Sequence, residues 1–384
     1  MPYITIPKQF REPSRVIKSQ LFLRPKRLAI FEACLIGLIS GLAGVLLKSG
    51  VGWLGSWRVA TSTVIPAWIL LPGVGLFGGL LTGFLVERFA PETAGSGIPH
   101  VKAALGGVNL SLDLRVAVAK LLATILAVGS GLTLGRQGPT VQIGASLAGW
   151  IGHLMPTSPD YRRQLIACGA AAGLAAGFNA PIAGVLFVVE ELLHDVSGLT
   201  LGTAIIASFI GAVVSQLLGG DSLSLNLRAY QTSFDAQEIP FYILLGVLAG
   251  LLGALFTKGI IASLQFNKRS LKLALPARMA LAGIICGSVI ALLPETFRNN
   301  TGLREFLLTG EASGITSFIA FIAHFFLTII SAASGAPGGL FSPALVMGSA
   351  LGHMVGIVQA DSLGVGLPVT YALAGMGAFF CAVS

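Results

Sequence analysis

The first long apolar run, roughly Leu28 to Leu47, matches the ~20 residues that cross a bilayer as one helix. It fixes the solvent for the rest of the chain. Lipid offers no hydrogen bonds to a backbone, so a chain entering it must pair its own amides and carbonyls, as helices do. Composition extends that constraint along the whole length. Hydrophobic residues make up 54% and charged residues 10% of the chain, and the mean hydropathy of +0.85 lies outside the range of soluble domains. The expected fold class is an all-α polytopic membrane protein. A net charge of +8 does not point to nucleic acid, because seven of the 24 Lys and Arg residues precede the first run: Lys8, Arg11, Arg15, Lys18, Arg24, Lys26 and Arg27. Such a flank predicts a cytoplasmic N-terminus on a multi-pass protein of the cell (inner) membrane. No small-residue cleavage site follows the run, so a removable signal is not expected. Cys34, Cys168, Cys286 and Cys381 lie in apolar stretches without metal-ligand spacing and read as buried free thiols.

Many apolar segments are cut by glycine and proline before they reach full bilayer length. Breaks at Gly95 to Pro99, Gly135 to Pro139, Gly177 to Pro181 and Gly335 to Pro343 each end one helix and start another. The same Gly-x3-Pro spacing at Gly152 to Pro156 and Gly364 to Pro368 reads as plain loop. Most of the 50 glycines serve close helix packing. Those clustered with proline at segment starts need another explanation, since helices broken in lipid must bury the freed backbone in protein or a wet cavity.

Internal repetition supplies one. Gly37-x3-Gly41-x2-Gly44 recurs as Gly246-x3-Gly250-x2-Gly253, an offset of 209. GRQGPTVQIGASL at Gly135 aligns with GLFSPALVMGSAL at Gly339, an offset of 204, and Gly169 with Gly375, an offset of 206. Three matches in one order predict two homologous halves of tilted and broken helices. A basic segment (1–27) precedes the first membrane repeat (28–219), and a loop (220–239) joins it to the second (240–384). The second half stops where the first continues into GFNAPIAGVLFVVEELLHDV, so the second repeat is expected to be truncated at Ser384. Paired broken helices in two halves point to a transport site near the membrane midplane.

At each break, glycine lets the backbone approach closely and proline fits the first helical turn, where its missing N–H is no loss. Unpaired N–H groups and the positive end of a helix dipole then face one spot, which is an anion site without a full charge. Partial charges suit a small anion that must also leave quickly. GSGIP (Gly95 to Pro99), GRQGP (Gly135 to Pro139) and GLFSP (Gly339 to Pro343), in this order, resemble the three signature motifs of the ClC family of chloride channels and chloride/proton exchangers. The resemblance covers essentially the whole chain and is to the prokaryotic type, without a soluble regulatory domain. It implies that the halves are inverted repeats, that the protein is a homodimer with one anion pathway per subunit, and that chloride or bromide is the substrate, with no cofactor and no metal.

Carried over residue by residue, the resemblance makes Ser96 a hydroxyl ligand of the central anion, with Gly95 and Gly97 shaping the inner approach. Leu340 and Phe341 give backbone N–H groups to the same ion, and their side chains form a hydrophobic wall. Serine in GSGIP fits chloride or bromide better than nitrate, and fluoride-exporting relatives depart from GSGIP altogether. The family's tyrosine ligand falls past Ser384. Gly135, Arg136, Gln137 and Gly138 form the outer anion site.

Exchangers of the family carry a glutamate at the position of Gln137. Its carboxylate occupies an anion position, leaves when protonated, and so links proton to anion movement. An amide is isosteric and cannot ionise. Glu191, in VLFVVEELLH, matches the family's inner proton acceptor; for the adjacent Glu190 and Glu191 the plainer reading is a helix end meeting water. Two accounts of Gln137 stand open: it belongs to a native uncoupled conductor, or it replaces a glutamate and holds the gate open. Both predict chloride movement without proton coupling; protons join as substrate only with glutamate there. Lys120, inside RVAVAKLLATI, is expected to be a buried charge supporting the anion field. Arg136 either concentrates anions at the outer entrance or makes a salt bridge. His100 and Lys102 follow GSGIP where many relatives carry acids. His153, His194, His324 and His353 show no ligand pattern. A rival class is a broken-helix carrier for small solutes. Such a carrier would want carboxylate-lined cation sites, and an intramembrane hydrolase would want HExxH or a Ser/His pair; the sequence offers neither convincingly.

Overall fold

The computed structural model describes residues 26–383 apart from 109, 156–157, 194–197, 220–235, 268, 270–271, 300–302, 304–305, 309–311 and 364–367. Most of the basic N-terminal segment and of the inter-repeat loop therefore lies outside the described residues, as does His194. Among the described residues there is no β-strand; one isolated bridge joins Gly135 to Gly339.

The first half runs through α1 (Lys26–Thr61), α2 (Ala67–Phe89), α3 (Ile98–Leu105), α4 (Leu114–Gly129), α5 (Gln137–Leu154), α6 (Pro159–Phe178), α7 (Pro181–Phe187) and α8 (Gly198–Gly219). A π-helical turn, Val188–Leu193, extends α7. The second half contributes α9 (Ile239–Phe266), α10 (Leu275–Leu292), α11 (Gly314–Ala333), α12 (Phe341–Leu363) and α13 (Pro368–Val383). Seven of the described helices, α1, α2, α8, α9, α10, α11 and α12, are long and apolar enough to cross a membrane. At 36 residues, α1 is longer than the ~20 residues of a perpendicular span, which leaves room for tilt or for ends outside the hydrocarbon.

Local sequence explains the helix ends. The Asp113 carboxylate accepts from the Val116 amide at the start of α4, and Ser158 and Ser313 cap α6 and α11 in the same way. Proline opens α3 and α7 in the first turn. All four glycine–proline breaks fall where expected, between α2 and α3, α4 and α5, α6 and α7, and α11 and α12. In the Gly152 to Pro156 spacing, α5 includes Gly152 and ends at Leu154, so the expected loop starts after the glycine; Pro156 and Gly364 lie outside the described residues. The thiols also differ from expectation. Cys168 and Cys286 are buried, but Cys34 is half-buried and Cys381 exposed on α13, since a membrane helix also turns apolar side chains outward.

The repeat is visible in the packing. A Cβ on Gly144 or Gly169 would collide with the other's carbonyl, which lets α5 and α6 touch backbone to backbone; Gly348 and Gly375 do the same for α12 and α13. Gly75 of α2 and Gly283 of α10 make a third reciprocal contact, across the two halves. Without a hydrophobic drive between helices in lipid, such contacts hold the bundle by close van der Waals packing. Gly169→Val is therefore expected to abolish the monodisperse detergent-solubilised protein on size exclusion, whereas Gly52→Val, at a position with open space around it, leaves the profile unchanged. The outer surfaces carry exposed Leu217, Ile243, Leu251 and Ile315, a band suited to lipid or to a second subunit.

Candidate functional site

Backbone hydrogen bonds join the three motif loops at one centre. The Gly135 amide donates to the Gly339 carbonyl at 2.7 Å and the Gly339 amide returns to the Gly135 carbonyl at 2.6 Å. The Gly95 amide donates to Gly335 O at 3.0 Å, and the Gly338 amide to Gly95 O at 3.2 Å. The N-termini of α3, α5 and α12 are thus brought together, and the orphan amides of three first turns share one region of positive potential. A Cβ built on Gly138 would lie 3.0 Å from Ser96 O and 3.2 Å from Gly339 Cα, so the first and third motifs meet against the second.

Of the residues named from sequence, Gly95 and Gly135 are tied by these bonds and Gly138 packs against Ser96 O and Gly339, with Gly97, Arg136, Gln137, Leu340 and Phe341 next to them in the chain. One detail of the expectation changes. Gly135 donates its N–H to Gly339, so that amide is used in tying the loops and is not left for an anion. Phe341 forms the anticipated wall: its ring meets Phe178 edge-on at 5.4 Å and stacks on Phe380 at 4.9 Å.

Gly97 has φ +90°, and a Cβ there would collide with the Gln142 side chain. Both the left-handed backbone and the close approach demand glycine. Gln142 is fully buried, and its Nε2 donates to Glu92 O at 2.8 Å. It anchors the segment ahead of GSGIP.

Lys120 is fully buried on α4. Its Nζ donates to Thr93 O at 2.9 Å and to Gly95 O at 2.6 Å. Sequence reading anticipated a buried charge but not this task. Its Nζ occupies two carbonyls at and just before the loop bearing Ser96.

Gln137 is the first residue of α5 and 7% exposed. Its side chain folds back over Gly135, where a Cβ would lie 2.7 Å from Gln137 Oε1, and that oxygen has no hydrogen-bond partner. It borders a cavity of about 490 Å³ lined also by Arg58, Arg136, Arg298, Asn299 and Ser342. The part played by Arg58 and Arg298 is invisible in sequence, because their shared cavity joins positions 240 residues apart.

Glu191 stands apart, on the π-helical turn after α7. It is about half exposed and pairs with Lys102 of α3, Nζ to Oε1 2.7 Å. An exposed pair of this kind contributes ~1 kcal/mol at most. Among the described residues, no group of three or more His, Cys, Asp and Glu side chains is placed to hold a metal ion.

The model of the family described as voltage gated chloride channel matches residues 78–384. An H(+)/Cl(-) exchange transporter ClcA from Vibrio campbellii is 33% identical over 371 residues, covering 92% of this chain and 78% of the relative. The ClcA of Vibrio cholerae is 31% identical over 372 residues, with the same coverage. Among solved structures, a slow cyanobacterial Cl-/H+ antiporter superposes with a TM-score of 0.83 at 30% identity, covering 93% of this chain and 85% of that one. A CLC-type fluoride/proton antiporter shares the fold, with a TM-score of 0.76 at 22% identity over 97% of this chain and 88% of the other. These relatives are transporters rather than enzymes, and the chain belongs with them to the voltage-gated chloride channel, or ClC, family of multi-pass membrane proteins.

Proposed function

We propose that this chain conducts chloride or bromide passively, with Gln137 acting as a gate that cannot take up or release a proton. The observation carrying this reading is the amide at the start of α5, buried where the motif loops meet and bordering a cavity that reaches it. Anion selectivity comes from the converging ends of α3, α5 and α12. Ser96 supplies a hydroxyl and Gly138, Leu340 and Phe341 supply amides, while Gly95, Gly97 and Gly135 shape and tie the loops. Arg136 raises the local anion concentration at the entrance. Glu191 would serve as inner proton acceptor in a coupled relative; opposite Gln137 it has no proton to receive.

The protein works as a homodimer in the inner membrane, with a cytoplasmic N-terminus set by its basic flank. The repeats are bounded at 28–219 and 240–384 around the loop 220–239. The cavity beside Gln137 adjoins Arg58, in the last turn of α1, and so opens toward the face opposite the N-terminus.

Radiotracer uptake in proteoliposomes tests the class. Chloride uptake into vesicles holding high chloride, suppressed by external bromide and not by a zwitterionic amino acid, is the expected result. Amino-acid uptake with no chloride movement would replace this reading with that of a broken-helix carrier.

A further inference from the structure

We propose that a pocket between α9, α10 and α11 binds one anionic phospholipid from the leaflet on the N-terminal side, its phosphate on Arg278 and an acyl chain along α10, and that this lipid steadies the loop leaving α11. The pocket encloses about 220 Å³ and is lined by Ser263, Asn267 and Arg278 together with apolar side chains that include Phe266, Leu281 and Ile285. Neither Asp nor Glu is among the described residues that line it. Arg278 Nε is buried and has no hydrogen-bond partner among the described residues. A guanidinium donor shut off from water and from protein acceptors is costly unless a ligand supplies the acceptor. A phosphate does so with the right charge and geometry.

The pocket is amphipathic in the way a phospholipid is. Arg278, Leu281 and Ile285 follow one another at helical spacing on α10, so the cation stands at one end of an apolar strip. Leu281 is 42% and Phe266 58% exposed, which keeps the strip open to surrounding lipid. The volume equals about seven waters at ~30 Å³ each, room for a phosphate group and the first part of a chain, with the remainder lying along the outside of α10. The side of the membrane follows from the helix order. α1 leads away from the basic N-terminal segment and α2 returns; a Cβ on Gly83, late in α2, would lie 2.3 Å from Pro276 Cα at the start of α10. Arg278 is therefore on the N-terminal side, which the basic flank sets against the cytoplasmic leaflet. Anionic lipids of that leaflet seek basic pockets between helices, and the exposed Arg269 and Lys272, between the lining residues Asn267 and Leu273, strengthen the attraction.

The pocket also reaches the centre where the motif loops meet. Asn267 Nδ2 donates at 2.8 Å to the carbonyl of Ala333, the last residue of α11, and both residues line the pocket. Two residues further on, the Gly335 carbonyl accepts from the Gly95 amide at 3.0 Å, a bond that ties the GSGIP segment to the loop after α11. A lipid seated against Asn267 and Ala333 holds the helix end from which that loop departs. Binding at Arg278 does not depend on what the protein transports; only the flux measurement below rests on the chloride reading.

Native mass spectrometry of the detergent-solubilised chain, titrated with phosphatidylglycerol or phosphatidylcholine, tests the site. Phosphatidylglycerol is expected to bind the unmodified chain about tenfold more tightly than phosphatidylcholine. Arg278→Gln is expected to weaken phosphatidylglycerol binding about tenfold, the size of one lost charge-assisted hydrogen bond. Leu281→Trp, which fills the strip and leaves the charge, is expected to weaken it severalfold, whereas Arg88→Gln, at an exposed position in the last turn of α2 outside the lining, should leave it within about twofold. Inorganic phosphate at millimolar concentration should not displace the lipid. Equal affinity for the two lipids, unchanged binding in Arg278→Gln or Leu281→Trp, an equal loss in Arg88→Gln, or displacement by inorganic phosphate would overturn the proposal. Should Arg278→Gln fail to fold, Leu281→Trp and the comparison of lipids decide it. In vesicles, chloride flux should rise severalfold as phosphatidylglycerol replaces phosphatidylcholine, and Arg278→Gln should flatten that rise; lipid-independent flux through the unmodified chain would overturn the link to the loop. Absence of chloride flux in every lipid would instead refute the chloride reading, leaving the lipid adducts to judge the site.

Discussion

Gln137→Glu is expected to create chloride-driven proton movement, and the unmodified chain is expected to show none. The substitution changes one atom group at the first residue of a helix, in a position that is 7% exposed and borders the arginine-lined cavity. A carboxylate there would be held by the helix end and by nearby guanidinium groups and would compete with the transported anion for the same amides. Protonation would cancel that attraction and let it swing out. An amide has one state, so it can do neither. In vesicles carrying a chloride gradient, Gln137→Glu should acidify or alkalinise the lumen against the prevailing proton gradient. Its chloride flux should rise as external pH falls, because protonation opens the gate, whereas flux through the unmodified chain should be flat over the same range. Adding Glu191→Gln to Gln137→Glu should remove proton movement and keep chloride movement. Proton-free, pH-independent flux in Gln137→Glu would take residue 137 out of the gate.

The second large effect is expected at Lys120. Its Nζ holds two backbone carbonyls of the loop that carries Ser96, at 2.9 and 2.6 Å in a fully buried setting. Lys120→Met fits the volume, removes the side-chain donor from the Thr93 carbonyl and leaves the Gly95 carbonyl with the Gly338 amide alone. Two charge-assisted bonds at about 1.5–3 kcal/mol each set the scale of the loss, enough to displace the loop in most molecules. Chloride flux should fall about a hundredfold or more, while size exclusion still gives a folded species. Lys120→Arg, which keeps charge and donors, should recover part of the rate. Full flux in Lys120→Met would show that the loop is positioned by the backbone pairs of Gly95 with Gly335 and Gly338 alone.

The fold was legible to the extent that its causes are local. Glycine next to proline predicts helix breaks because both residues act on their own backbone, and every such break is present between Gly95 and Pro343. The offset of Gly169 from Gly375 predicts the repeat, and the twin contacts Gly144–Gly169 and Gly348–Gly375 give it a physical reason. At Gly152 the glycine itself does not end the helix; α5 runs two residues further, to Leu154, before the expected loop begins. Cys34 and Cys381 are not buried as their apolar surroundings in sequence predict, because apolar sequence does not distinguish protein-facing from outward-facing sides in lipid.

The site divides in the same way. Its motif residues could be named from sequence because each loop carries its own glycine and proline signals. Their mutual arrangement could not, since the Gly135–Gly339 bridge joins residues 204 positions apart through backbone alone. Lys120 was expected to support an electrostatic field, but its use in holding Thr93 and Gly95 carbonyls depends on α4 passing beside that loop. Arg58 looks in sequence like an ordinary cation at a helix end. Only the packing of Gly131 and Arg298 around it reveals a buried head group with open donors.

The central claim is that an amide at position 137 passes anions and withholds protons. It is tested most directly by recording chloride and pH together during chloride efflux from vesicles containing the unmodified protein. Chloride efflux to completion once a potassium ionophore shunts the voltage, with no sustained pH change, is the predicted result. Proton uptake that persists against its own gradient and stops when the chloride gradient is removed would contradict it.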